Sequence, residues 1–279
     1  MTKEICEELM IYDVQKASLL KRFSAFLLDF ILLCVLTTGF AFLLAWITGI
    51  DGYTKTFTEY YNQFEEQHYE EFEKEYGVDF DISQEDYDKL TQEQKDRFAE
   101  ARQALEKLWE AELKDHPEVI KAYRMSTALP MLITTISLLL SYLVFEFIIP
   151  LCLKNGQTVG KKIFSLGVVF NNSVRINNFA LFVRAIFGKY TIETMFPVML
   201  IMLAIYQKMN FILALVLVAA LFILQLVLLI ATKTKSLVHD TLANTVVVDL
   251  QSQMIFDTTQ DLISYKEELS KQESEKKEY

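Results

Sequence analysis

The sequence predicts an all-α membrane protein with four transmembrane helices, a helical extracytoplasmic insertion and a small cytoplasmic β-hairpin or sheet. Three observations lead there. The 279-residue chain is 52% hydrophobic yet 23% charged, so the two kinds of residue must be segregated. Residues 51–124 hold 21 of the 37 acidic residues against 10 of the 27 basic ones, a net −11 where the whole chain is −10. Outside that segment stand apolar runs at 23–50, 125–153, 190–206 and 210–231. A spanning helix needs about 20 apolar residues to cross about 30 Å of hydrocarbon.

The elements follow in order. Residues 1–22 form a polar arm of mixed charge. The first apolar run, 23–50, is longer than a signal-peptide core and lacks a small-residue cleavage site, so it is expected to be a retained helix. In the insertion, 51–124, Phe57, Tyr60, Tyr61, Phe64, Tyr69, Phe72 and Tyr76 recur at helical spacing and Gly77 ends the run. Ser83 with Asp86 starts a second helix carrying Tyr87, Leu90, Phe98, Leu105, Leu108 and Trp109. A further short helix begins near Pro117 and feeds the second span, 125–153. Within 154–189, Ile163–Phe170 is β-prone, Asn171-Asn172 makes a turn, and Val174–Ile176 can return beside it. Thr245–Val248 is a further β-prone stretch. Residues 179–187 suit a helix lying in the membrane interface. The third span, 190–206, is short and interrupted by Pro197, and a polar turn at 207–210 joins it to the fourth, 210–231. The tail, 232–279, holds one strand and is expected to be disordered after Lys266.

Lysine and arginine in the short loops set the orientation. They cluster as Lys3, Lys16, Lys21 and Arg22 in the arm, as Lys154, Lys161, Lys162, Arg175, Arg184 and Lys189 in 154–189, and as Lys233 and Lys235 after the fourth span. Both termini and the 154–189 segment are therefore expected in the cytoplasm of a plasma membrane protein. The insertion, long enough to translocate regardless of its charge, lies outside.

Composition also excludes. An acidic excess argues against nucleic acid as a partner. Three cysteines without regular spacing, Cys6, Cys34 and Cys152, give neither a disulfide framework nor a metal signature. No cofactor or metal is called for. The histidines are His68, His116 and His239, and no nucleophile stands beside a base at a recognisable spacing. Enzymatic activity is not expected.

The chemistry lies in polar residues within or beside the apolar runs. Arg22, Ala25 and Asp29 share one face of the first helix, with Asp29 about 10 Å deeper than Arg22. A charge at the centre of a span costs about 2.5–3.5 kcal/mol, so Asp29 is expected to face other helices or a wet cavity, while Arg22 reaches the interface. Arg22 is placed to pair with either Asp29 or Asp240. Glu146 and Glu193, in the second and third spans, either join Asp29 in a polar path or reach out to the interface. His239-Asp240 follows the fourth span. Gly156-Gln157-Thr158-Val159-Gly160-Lys161-Lys162 is not a phosphate-binding loop, because its glycines are one residue too close and Lys162 stands where Ser or Thr should hold magnesium. It reads as a glycine-bounded turn at the headgroup level.

Three segments together resemble the RDD family of bacterial membrane proteins, which takes its name from one arginine and two aspartates. They are Lys21-Arg22-Phe23-Ser24-Ala25 with Asp29; Gly156-Gln157-Thr158 with Gly160-Lys161 and Gly167-Val168-Val169; and His239-Asp240 with Ala243 and Thr245–Val248. The resemblance implies that Arg22, Asp29 and Asp240 are the family's named residues and that the protein is bacterial. Transport of unidentified ligands has been suggested for the family. The 51–124 insertion departs from the family pattern of a short first loop, and Lys233 and Lys235 stand where members often carry arginines. The resemblance therefore says nothing about the insertion. Two functions are expected: a small transporter or ion or proton pathway, needing a homo-oligomer because four helices are few, or a membrane scaffold whose insertion meets an extracytoplasmic protein.

Overall fold

The structure, a computed structural model, describes residues 17–153, 155–232 and 234–277. Lys3, Cys6, Lys16, Lys154 and Lys233, with most of the 1–22 arm, lie outside the described residues. Among the described residues, four helices are long and apolar enough to cross a membrane: α1 (Leu19–Thr48), α5 (Pro117–Leu153), α7 (Asn178–Ile205) and α8 (Phe211–Ala231). Between α1 and α5 come α2 (Ile50–Tyr76), α3 (Gln84–Lys89) and α4 (Gln92–Leu113). Between α5 and α7 come α6 (Val159–Ile163) and β1 (Leu166–Phe170), and after α8 come α9 (Val238–Leu242), β2 (Thr245–Asp249) and α10 (Thr259–Lys277). The chain divides into two compact units, one of residues 1–41 with 135–279 and one of residues 42–134.

In the smaller unit the predicted aromatic stripe becomes a packing seam. Trp109 of α4 meets Phe57, Tyr60, Tyr61 and Phe64 of α2 at ring separations of 4.9–6.3 Å. Gly77 ends α2 in the left-handed conformation that glycine adopts without strain. Ser83 does cap a helix, but only the six residues of α3. The second long helix starts afresh at Thr91, whose side chain forms a reciprocal capping box with Gln94.

In the larger unit, β1 and β2 pair antiparallel, Val168 opposite Val247, and form a small apolar core of valines. The expected local hairpin is corrected here. Val174–Ile176 returns beside β1 only as a single bridge, Val169 to Arg175, because this stretch turns to the 256 segment, where Val174 bridges Phe256 in parallel and the Arg175 amide donates to the Phe256 carbonyl. The interfacial helix at 179–187 and the short third span are likewise one continuous helix, α7. Its residues 183–195 hydrogen-bond in π fashion, five residues apart, and Pro197 falls at the start of the α-helical turns that follow. A proline lacks the N–H that such a changeover leaves without a partner, so it does not break the rod. The tail is helical from Thr259 to Lys277, where disorder is expected after Lys266. Thr258 and Asp261 cap α10 reciprocally, and Leu262, 1% exposed, anchors it on Val174 and Phe256. The α7–α8 turn leads into Asn210, whose carboxamide oxygen accepts from the Ile212 and Leu213 amides.

Where the helices are not covered they are apolar. Phe222 and Ile230 of α8, and Phe42 and Trp46 of α1, are more than 60% exposed. Helices this apolar on their outer surface are at home in lipid. The chain is a multi-pass membrane protein.

Candidate functional site

The buried stripe of α1 is Ala25, Asp29 and Leu33. Asp29 is 5% exposed and fully engaged. Its Oδ1 accepts the Gly160 amide at 2.7 Å, and its Oδ2 accepts a short bond from the Thr158 hydroxyl. Thr158 is the N-cap of α6, accepting from the Lys161 amide. Lys161 Nζ reaches Thr158 Oγ1 at 3.1 Å and stands 3.9 Å from Asp29 Oδ2. A Cβ at Gly160 would lie 2.8 Å from Asp29 Oδ1, so only glycine allows this approach. The Gly156–Lys162 turn is thus seated on α1 through one carboxylate. Burial, then Lys189, pushes the Lys161 ammonium down, Glu146 and Asp29 draw it back, and its pKa settles at about 8.

Asp240, 1% exposed, is the hub of a second group. Arg184 Nη2 lies 2.9 Å from its Oδ1 and Arg22 Nη2 3.5 Å from its Oδ2. The Thr245 hydroxyl donates to Oδ1 at 3.3 Å. Arg22 therefore pairs with Asp240 rather than with Asp29, and its Nη1 donates to the Lys235 carbonyl. Burial alone would raise the Asp240 carboxyl, but Arg184, His239, Arg22 and Lys189 outweigh it and hold the pKa at about 2.

His239 joins Asp240 to Glu193. Its Nδ1 lies 2.8 Å from the Glu193 carboxylate, its backbone N–H donates there at 3.0 Å, and its Nε2 lies 3.6 Å from Asp240 Oδ2. Gln225 of α8 also bonds Glu193 and accepts the Val238 amide at 3.2 Å. At Gly188 a Cβ would sit 2.5 Å from that of His239, so glycine lets α9 press onto α7. Glu146 pairs instead with Lys189 at 2.5 Å.

Four acids, Asp29, Glu146, Glu193 and Asp240, thus meet four bases, Arg22, Lys161, Arg184 and Lys189, with His239 between two of the acids. The three acids of the spans do not converge on one cavity; each has its own partner. Two buried polar atoms of the cluster, Arg184 Nη1 and Asp240 Oδ2, have no hydrogen-bond partner. Arg184 and Lys189 are not singled out by sequence as site residues. The signal available was two cations, with Gly188 between them, in an otherwise apolar stretch. No group of three potential metal ligands occurs among the described residues.

A bundle of four spanning helices, with a two-stranded sheet and a buried charge cluster at one end, defines a multi-pass membrane protein of the RDD type. The RDD family model matches residues 16–244, and the chain belongs to that family. No curated protein and no solved structure matches it significantly.

Proposed function

We propose that this protein is a non-catalytic proton or cation pathway, working as a homo-oligomer in a bacterial plasma membrane, with the sheet-bearing end and both termini in the cytoplasm. The observation that carries the proposal is His239, buried with the Glu193 carboxylate bonded to one ring nitrogen and the Asp240 carboxylate 3.6 Å from the other. An imidazole so placed takes a proton at one nitrogen and releases one from the other. The cluster around it is charge-balanced when His239 is neutral, so one proton moves it to +1.

Deeper in the bundle the polar groups are hydroxyls. Tyr142 bonds Thr194 at 2.6 Å and Tyr190 donates to the Thr135 carbonyl at 3.2 Å. Thr135 lies eleven residues from Glu146 on α5, about 16 Å along the axis. That covers about half of the hydrocarbon thickness, which is why further copies are needed to complete a path. The excess of Lys and Arg in the short loops supports the orientation. Both nitrogens of His239 face carboxylates rather than a hydroxyl or thiol, which supports the absence of catalysis. The second reading, a scaffold that meets an extracytoplasmic partner, is favoured by one observation: the acidic segment folds as a unit of its own.

The test is flux in reconstituted vesicles carrying a pH-sensitive dye. Wild type should dissipate an imposed pH gradient faster than empty vesicles. His239→Gln should slow it about tenfold, a barrier change of about 1.4 kcal/mol, while remaining monodisperse with an unchanged melting temperature. Equal flux in a well-folded H239Q, or none in wild type, overturns the proposal.

A further inference from the structure

Beside the sheet the larger unit carries a cavity of about 590 Å³, open to the surface, that the RDD residues do not line. That is within the roughly 300–1,000 Å³ typical of small-ligand sites. Its wall carries four carboxamides, Asn171, Asn172, Asn177 and Asn244, together with Arg175 and Asp257.

The carboxamides are already oriented. Asn172 Oδ1 accepts the Val174 amide at 3.2 Å, Asn177 Oδ1 accepts the Ala180 amide at 2.7 Å, and Asn244 Oδ1 accepts Asn171 Nδ2 at 2.5 Å. With those oxygens occupied, Asn172, Asn177 and Asn244 have their NH2 groups left to donate. Arg175 spends Nη1 on Asp257 at 2.9 Å and keeps its other guanidinium donors. The wall is therefore rich in donors. Its accessible acceptor is the Asp257 carboxylate, 67% exposed.

A complementary ligand brings several acceptor oxygens for the donors and a hydroxyl for the Asp257 carboxylate. Charge narrows the choice. Asp257 stands next to Arg175, so a dianion meets about twice the repulsion that a monoanion meets. A phosphodiester carries one negative charge, whereas a phosphate monoester or inorganic phosphate carries about two near neutral pH. The pocket lies at the start of the spanning helix α7, where Phe179 is 75% exposed next to Asn178.

We propose that this cavity binds a hydroxyl-bearing phosphodiester, as presented by a glycerophosphodiester, either free or as the headgroup of an anionic lipid. The site is independent of the proton pathway, and its test does not involve flux.

The full chain, purified and delipidated in detergent, is titrated with soluble glycerophosphoglycerol and with inorganic phosphate, and separately placed in nanodiscs with and without phosphatidylglycerol. Melting temperature is read throughout. The expected result is a rise of about 2 °C or more with the diester in at least one of the two forms. Response to the soluble diester assigns a free ligand, and response to the lipid alone assigns a headgroup. Inorganic phosphate should bind more weakly than the diester. Arg175→Gln should weaken binding about tenfold, and Thr259→Trp, which fills the cavity without removing a named partner, should abolish the response. No shift with either form of the diester in wild type, phosphate binding as well as the diester, or wild-type response in both variants overturns the assignment.

Discussion

At the scale of single residues the decisive quantity is the balance around Asp240. Its carboxylate is 1% exposed, and a lone charge there would cost several kcal/mol. Arg184 at 2.9 Å and Arg22 at 3.5 Å offset that cost. Removing one partner should therefore hurt more than removing the whole set. Arg184→Met is expected to lose about 3–5 kcal/mol, and Arg184→Met with Asp240→Leu should recover part of it, measured by thermal or denaturant unfolding in detergent. A double variant no better than the single would contradict this. The pH dependence has a definite sign. The folded pKa of about 2 lies below the unfolded value of about 3.9, so the stabilisation is complete above about pH 4. It falls away as pH drops through that window towards 2. The part of the acid-induced loss that Asp240 causes should be missing from Asp240→Asn.

At the scale of elements, Asp29 acts as a fastener between α1 and the turn that opens α6. Asp29→Asn keeps an acceptor for the Gly160 amide but loses the charge that receives the Thr158 hydroxyl, and Asp29→Leu loses both. Hydrogen bonds to a charged group contribute about 1.5–3 kcal/mol each, so exchange of amides in 156–170 should speed up about tenfold in D29N and more in D29L. Unchanged exchange protection in both would rule the fastener out. This element also marks how far sequence reaches. The shared face of Arg22, Ala25 and Asp29 follows from helical spacing alone, and the glycine-bounded turn follows from its composition. Their meeting does not, because 131 residues separate Asp29 from Gly160. The small sheet was legible in the β-prone Ile163–Phe170 and Thr245–Val248, but its pairing was not, since Val174–Ile176 offered β1 a nearer partner of equal β propensity. The continuity of α7 was hidden differently. Its five-residue hydrogen bonding brings Arg184, Gly188 and Glu193 towards one face, and a search at the α-helical period does not align them. The helix α10 escaped notice because a charged segment needs only Leu262 and a good cap to hold it.

At the scale of the molecule, the acidic insertion and the charge cluster are physically separable. The cluster, the sheet and the hydroxyl pairs all belong to the unit made of residues 1–41 and 135–279. The insertion has its own core in the Trp109 seam and its own caps at Gly77 and Thr91. Its two ends also come together, with Lys121 Nζ 5.9 Å from the Tyr53 ring centre, so a few residues can bridge them. Replacing 53–122 with a short Gly-Ser linker should leave a protein that purifies monodisperse and melts within about 5 °C of wild type, because loop-closure entropy changes only slowly with length. The same variant separates the two proposed functions. A proton pathway predicts that flux survives the replacement at close to the wild-type rate and still depends on His239. A scaffold predicts no flux in either protein and loss of an extracytoplasmic partner from a pull-down with the shortened chain. Flux present in wild type but absent from a well-folded shortened chain would contradict the scaffold and a path confined to the larger unit alike, and would assign the insertion a place in the path itself.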